Sequence, residues 1–152
     1  MLGLSLGGCA GNPNAVDGSA AGAERTANAA GTASEFRSSV GDRIFFESDS
    51  AELTSAAQAT LDRQALWLAR HPRQQIKIEG HADERGTREY NFALGARRAE
   101  AAMSYLAARG IPSRRLRVVS YGKERPVSAC DDISCWSQNR RAVTVLETGG
   151  RS

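Results

Sequence analysis

The sequence predicts an α+β fold: a two-layer β-α-β-α-β-β sandwich, with helices on one face of a mixed four-stranded sheet. Three observations carry this. Gln75 to Gly80 alternates, with Ile76 and Ile78 on one face and Lys77 and Glu79 on the other, the mark of a half-buried strand. Two longer stretches repeat apolar side chains at intervals of three and four, as helices do. Each of those stretches ends in a stop signal, His71-Pro72 for the first and Gly110 for the second. A chain of 152 residues with a hydrophobic fraction of 41% has room for one modest core and a tail.

The elements follow in order. Ile44, Phe45 and Phe46 read as a short buried strand, ended by the polar Glu47-Ser48-Asp49-Ser50. Thr54 is an expected N-cap for a helix running to about Arg70, whose apolar face is Ala57, Leu61, Ala65 and Leu68. His71 sits at its C-terminus, where a partial positive charge is favourable. After the Gln75–Gly80 strand comes a loop, His81 to Arg88, and then a helix from about Glu89 to Arg109. Its core face is expected to be Phe92, Ala96, Ala99, Met103 and Leu106. Leu116 to Ser120 is a third strand, Tyr121 to Gln138 a long polar loop, and Ala142 to Leu146 a fourth strand.

The folded domain is expected over residues 41–148, with 149–152 a tail. Ala, Gly, Ser, Thr and Asn fill 22 of the 31 positions from 10 to 40, too little bulk to offset the entropy of ordering the backbone, so this segment reads as a flexible linker. Residues 1–9, MLGLSLGGC, resemble a bacterial lipobox preceded by the remnant of a signal peptide, with Cys9 as the lipidated residue. No apolar run reaches the 18 to 20 or so residues of a spanning helix. The net charge of +3 divides into −1 over residues 1–40 and +4 beyond, interleaved with acidic residues. That describes a solvated mixed surface, and no nucleic-acid partner is expected. Cys130 and Cys135 bracket Asp-Asp-Ile-Ser, a disulfide in an oxidising compartment or two free thiols in a reducing one.

Chemistry gathers in Gly80 to Ala99. On the second helix Asn91, Leu94, Gly95 and Arg98 share a stripe apart from the expected core face. Gly95 costs about 1 kcal/mol relative to alanine in a helix, and close approach by a ligand or by another backbone would explain it. Asp83, just past a strand end, can accept from an ammonium. Arg98 can present a planar fork to a carboxylate. The pair can therefore read an amino-acid head group, or it can form a plain salt bridge. His81, Asp83 and Ser120 could be combined into a hydrolase triad, but no Gly-x-Ser-x-Gly nucleophile turn is present. With two histidines a metal site is not expected either, nor any cofactor.

These residues carry a resemblance. Ala82-Asp83, ten residues, then Leu94-Gly95-Ala96-Arg97-Arg98-Ala99 is similar to the pattern of the OmpA-like peptidoglycan-binding domain family, over residues 43–147. Gly80 to Thr87, Glu89-Tyr90-Asn91, Ser120 to Pro126 and Gln138 to Arg141 resemble its peptidoglycan-associated lipoprotein branch. Cys130 to Trp136 resembles alphaproteobacterial members.

The resemblance implies that Asp83 and Arg98 hold the diaminopimelate of the peptidoglycan stem peptide, with Asn91 and Leu94 lining the pocket. The family's first strand usually reads Phe-Asp-Phe-Asp-Ser, whereas this one reads Phe46-Glu47-Ser48-Asp49-Ser50. Only Asp49 and Ser50 carry over from it. Arg140 and Arg141 are expected to fix the sheet and loop rather than touch ligand. The resemblance further implies an outer-membrane lipoprotein, anchored through Cys9 on the periplasmic side, that tethers the membrane to the wall without catalysis. It implies a place in the Tol–Pal system of envelope integrity and cell division, with TolB as a partner. The other readings are a periplasmic wall hydrolase and an OmpA-like domain of a porin or stator-type protein.

Overall fold

The computed structural model describes residues 32–147. Cys9, the lipobox and most of the expected linker lie outside the described residues, as does the tail.

Four strands form one sheet of order β1-β4-β2-β3. Here β1 is Arg43–Phe45, β2 Gln75–His81, β3 Leu116–Gly122 and β4 Arg141–Glu147. β4 runs antiparallel to both neighbours, and β2 and β3 are parallel, joined by a helical crossover. Four helices are described: α1 (Ala33–Glu35, running on as a wide turn Phe36–Val40), α2 (Ser55–Arg70), α3 (Arg88–Ala108) and α4 (Ile133–Asn139). α2 and α3 pack on the sheet face that carries Ile44, Ile76, Ile78, Leu116 and Ala142, and the core lies between the layers.

α2 begins where its cap was expected, with Thr54 Oγ1 accepting from the Ala57 N–H at 3.1 Å. Its expected face, Ala57, Leu61, Ala65 and Leu68, is buried. Gln64 joins that face because both ends of its amide are satisfied: Nε2 donates to Gly41 O at 2.9 Å, and Oε1 accepts from Thr144 Oγ1 at 2.8 Å.

Five expectations change. The folded body reaches back before residue 41, because Phe36 and Val40 are buried in the core and Phe36 lies edge-on to Trp67 at 4.9 Å. Two large side chains in an otherwise small-residue segment are enough to dock its last turn. Phe45, expected inside the first strand, is 46% exposed, since strand alternation sends it to the face opposite Ile44. The core stripe of α3 is also displaced. Phe92 is 59% exposed, and the buried stripe is Asn91, Leu94, Gly95, Arg98, Ala99, Ala102 and Leu106. The helix seats on its small-residue side because β2 and β3 press against it: a Cβ on Gly122 would lie 3.0 Å from Phe92 N. β2, β3 and β4 run one or two residues beyond their expected ends, whereas β1 lies one residue earlier than expected, at Arg43–Phe45. Finally, the expected loop 121–138 gives way at its end to α4, which runs on to Asn139 and whose seven residues are too few to show helical periodicity.

Candidate functional site

The site is assembled from three segments: the turn after β1, the loop after β2, and the first turns of α3. Where β2 ends, Ala82 N donates to Gly122 O at 2.8 Å, which holds the exit of β2 against the end of β3. Asp83 follows and is 5% exposed. On the other side α3 opens with Thr87 Oγ1 accepting from Tyr90 N at 3.1 Å. Asn91 Nδ2 donates back to Arg85 O at 2.7 Å and to Thr87 O at 2.9 Å, so loop and helix form one body.

Arg98 binds the third segment. It is fully buried, and its guanidinium donates to three carbonyls: Nε to Ser50 O at 2.8 Å, Nη1 to His81 O at 2.9 Å and Nη2 to Glu47 O at 3.0 Å. These bonds use three of its five N–H groups. Burial pushes its pKa down to about 10, which leaves it charged at neutral pH. The turn it clamps brings Asp49 into the site with a left-handed backbone (φ 55°), which Asp tolerates better than bulkier residues. Asp49 Oδ1 accepts from Tyr90 Oη at 3.2 Å.

The three segments enclose a pocket of about 220 Å³ lined by Asp49, Asp83, Arg85, Gly86, Tyr90, Asn91, Leu94 and Arg98. Asp49, Asp83, Asn91, Leu94 and Arg98 were singled out in the sequence. Two others were placed differently. Ser50 contributes its carbonyl to Arg98, while its hydroxyl accepts from Glu52 N at 3.0 Å. Gly95 lies behind the pocket, its carbonyl directly against Gly80 of β2. Arg85, Gly86 and Tyr90 are added. Arg85 lies within the Gly80–Thr87 stretch that carries the resemblance, but its role was not legible there, because it comes from a side chain folded back on the residue two before it. Tyr90 precedes Asn91 on the first turn of α3, a position that reads as solvent-facing.

Asp83 and Arg98 do not pair directly. Asp83 is ion-paired with Arg85, whose Nη2 is 2.6 Å from Oδ2, and lies 3.7 Å from Arg140 Nη1. Arg85 also gives Oδ1 its Nε at 3.1 Å and its backbone N–H at 3.0 Å. Burial pushes the Asp83 carboxyl up, but the Arg85 bonds and the Arg85 and Arg140 charges outweigh it and hold the group below its ordinary value. Arg140 Nε donates to Phe46 O at 2.8 Å, and Arg141 donates to Asn139 O and Arg125 O, so both tie loops to the sheet.

The pocket thus sets two carboxylates and two guanidinium groups around one small volume, suited to a zwitterion. A Ser–His–Asp relay is not assembled. Ser120 Oγ donates to Phe92 O at 2.7 Å on the helix side of the sheet, and His81 contacts Glu79 at 3.4 Å on the other side. Cys130 and Cys135 are joined as a disulfide, with Cα atoms 5.8 Å apart. Among the described residues no group of three or more His, Cys, Asp and Glu side chains is placed to hold a metal ion, and no helix is long and apolar enough to cross a membrane.

The OmpA family model matches residues 45–140. The peptidoglycan-associated lipoprotein of Rhizobium meliloti is 60% identical over 152 residues, covering 99% of this chain and 86% of that protein. The one from Agrobacterium fabrum is 55% identical, covering 98% and 85%. Among solved structures, the peptidoglycan-associated lipoprotein of Burkholderia pseudomallei superposes with a TM-score of 0.70 at 41% identity, covering 73% of this chain and 96% of that one. The C-terminal domain of Helicobacter pylori MotB has a TM-score of 0.66 at 24% identity, covering 70% and 84%, a likeness of fold alone. The chain belongs to the OmpA family, and within it to the group of the peptidoglycan-associated lipoproteins.

Proposed function

We propose that this chain is an outer-membrane lipoprotein that grips peptidoglycan non-covalently, and that its pocket takes the diaminopimelate of the stem peptide. The observation that carries the reading is the single pocket shared by Asp49, Asp83, Asn91, Leu94 and Arg98. Diaminopimelate ends in a centre bearing both an ammonium and a carboxylate. Asp83 supplies a buried acceptor for the ammonium, and the two N–H groups of Arg98 that hold no carbonyl supply donors for the carboxylate. Leu94 and the methylene stem of the ligand make the apolar contact. Binding rather than catalysis fits a site that offers paired donors and acceptors and in which Ser120, His81 and Asp83 are not brought together as a relay. The relatives' printed names, which give peptidoglycan association and a lipoprotein, support the same reading.

The anchor is Cys9, whose diacylglycerol and amide-linked acyl chains together hold the protein at the membrane, one chain alone giving only marginal binding. A role in the Tol–Pal system with TolB as partner rests on the resemblance of the sequence motifs. The pocket is tested by sedimenting the purified chain with wall sacculi. Wild type co-sediments, and Asp83→Asn, folded by its melting curve, stays in solution. If Asp83→Asn sediments like wild type, the site is elsewhere. Solubilised sacculi would replace the tether with a hydrolase. A mass measurement on the protein extracted from membranes reads whether Cys9 carries lipid.

A further inference from the structure

Asp83 does not stand open in its pocket. The Arg85 guanidinium lies across it, and that guanidinium is held from behind. Its carbon sits 4.2 Å from the centre of the Trp136 ring, and its Nη2 also donates to Ser48 Oγ at 3.0 Å. Trp136 is itself pinned, its Nε1 donating to Glu84 Oε1 at 2.9 Å. It belongs to α4, whose first turn is tied through the half-cystine Cys135, 9% exposed, to Cys130. Asn139 closes the other end of α4, accepting from Val127 N and donating to Ser128 O, both at 2.8 Å. The pocket wall thus includes a guanidinium stacked on an aromatic ring that a disulfide and a short helix hold in place.

The exposures of the pair are unequal. The Asp83 side chain is 6% exposed and that of Arg85 is 43% exposed. A buried carboxylate with a half-exposed cation over it is arranged for exchange, since the outer partner can leave for water or another anion while the inner one cannot. The carboxylate already accepts three N–H groups from Arg85 and has room for about four. One acceptor site is left, so an arriving ammonium, with three N–H donors, can make more than one bond to Asp83 only by taking over part of what Arg85 holds.

We propose that Arg85 is the residue that sets ligand specificity at this site, as a displaceable internal cation, and that Trp136 positions it. An ammonium entering the pocket takes Asp83 from Arg85. The displaced guanidinium, still lodged on Trp136, then needs an anion. A ligand that carries a carboxylate beside its ammonium supplies one, and a ligand with the ammonium alone does not. The pocket thereby selects the zwitterionic end of diaminopimelate over lysine, which keeps the ammonium and lacks the second carboxylate. This inference rests on the wall-peptide reading above and adds to the carboxylate donors of Arg98 a second cation, Arg85, which the arriving ammonium itself leaves in need of an anion.

The test is a titration calorimetry comparison of two tripeptides, L-Ala-γ-D-Glu-meso-diaminopimelate and L-Ala-γ-D-Glu-L-Lys, with the purified chain and with Asp83→Asn, Arg85→Gln, Trp136→Ala and Trp136→Phe. Wild type prefers the diaminopimelate peptide, and Asp83→Asn weakens it. In Arg85→Gln the lysine peptide tightens and the preference narrows roughly two- to fivefold, the worth of one half-exposed ion pair. Trp136→Ala narrows it in the same direction, and Trp136→Phe, which keeps a ring under the guanidinium, restores it. A merely structural role for either residue would change both peptides alike. If Arg85→Gln leaves the preference as in wild type, or weakens both peptides equally, the exchange is wrong while the pocket stands. If wild type binds neither peptide, or Asp83→Asn binds as wild type does, the wall-peptide reading fails and the selection rule fails with it.

Discussion

Gly95 of α3 and Gly80 of β2 meet backbone to backbone. A Cβ on Gly80 would overlap the Gly95 carbonyl, and a Cβ on Gly95 would lie 2.9 Å from Gly80 O and overlap Ser120 Oγ. The helix can approach the sheet this closely only because neither residue has a side chain, and the approach sets how far Arg98, three residues on, reaches toward the turn after β1. Gly95→Ala gains helix propensity of about 1 kcal/mol, but its Cβ meets both the Ser120 hydroxyl and the Gly80 carbonyl, and the latter is backbone that cannot swing aside. The expected outcome is a net loss at the upper end of overpacking costs, about 2–3 kcal/mol, for either Gly80→Ala or Gly95→Ala. Urea unfolding checks it. An unchanged midpoint would mean that the layers separate more easily than this contact implies.

Arg98 acts first as a structural clamp. Arg98→Ala leaves the carbonyls of Glu47, Ser50 and His81 without their donor and opens a hole under Phe46, whose ring lies 5.2 Å from the guanidinium. A loss of about 3–5 kcal/mol is expected. Arg98→Lys cannot span three separate carbonyls from one ammonium and should recover less than half of it. Because either change loosens the Glu47–Ser50 turn, both should also raise amide exchange at Asp49 and Ser50, which hydrogen-exchange mass spectrometry reads.

His81 makes the fold sensitive to mild acid. Burial, with the neighbouring Arg141 charge, pushes its pKa down from 6.5 to about 4, against a pull upward from Glu79. Between those values the unfolded chain binds the proton and the folded one does not. Stability is therefore complete above about pH 6.5 and falls as the pH drops toward 4, by at most about 1.4 kcal/mol per unit. Melting curves from pH 7.5 to 4 should show that slope, and His81→Gln should flatten it. A wild-type curve flat over this range would contradict the burial of the neutral ring.

Asp83 is shifted in the same direction, downward, but there it is the charged form that the fold favours. Its folded pKa lies below the ordinary 3.8, so its ion pairs with Arg85 and Arg140 are complete above that value and are lost as the pH falls through the lower folded one. Sacculus binding by the wild-type chain should accordingly hold level from pH 7 to 5 wherever the fold is intact. The acid loss of binding should then follow unfolding rather than titration of the pocket, and simultaneous circular dichroism separates the two.

The disulfide closes a short loop, so its removal should cost the domain only about 2 kcal/mol. Reduction with dithiothreitol should lower the urea midpoint modestly and leave the β-sheet signal in place. Collapse of the whole fold on reduction would show that α4 supports the core rather than one wall of the pocket.

Much was legible in the sequence, and for local reasons. The α2 cap at Thr54, the stop at His71-Pro72 and the alternation of Gln75–Gly80 depend on near neighbours along the chain. So does the placement of Asp83 and Arg98 on segments that a β-α crossover must bring together. The sequence by itself therefore determined the order of the four strands and the two long helices, the two layers and five of the eight residues that line the pocket. What it could not determine depends on contacts made at a distance. The periodicity of α3 allows either of two faces inward, and only the pressure of Gly80 and Gly122 selects the one that buries Asn91, Leu94 and Arg98 and leaves Phe92 outside. The charges on Asp83 and Arg98 are opposite, yet they do not meet. Arg98 finds two carbonyls on a turn some fifty residues away and a third at the end of β2, and Asp83 finds Arg85. Which partner a buried charge takes is decided by which polar groups packing leaves within reach, and that is a property of the folded molecule alone.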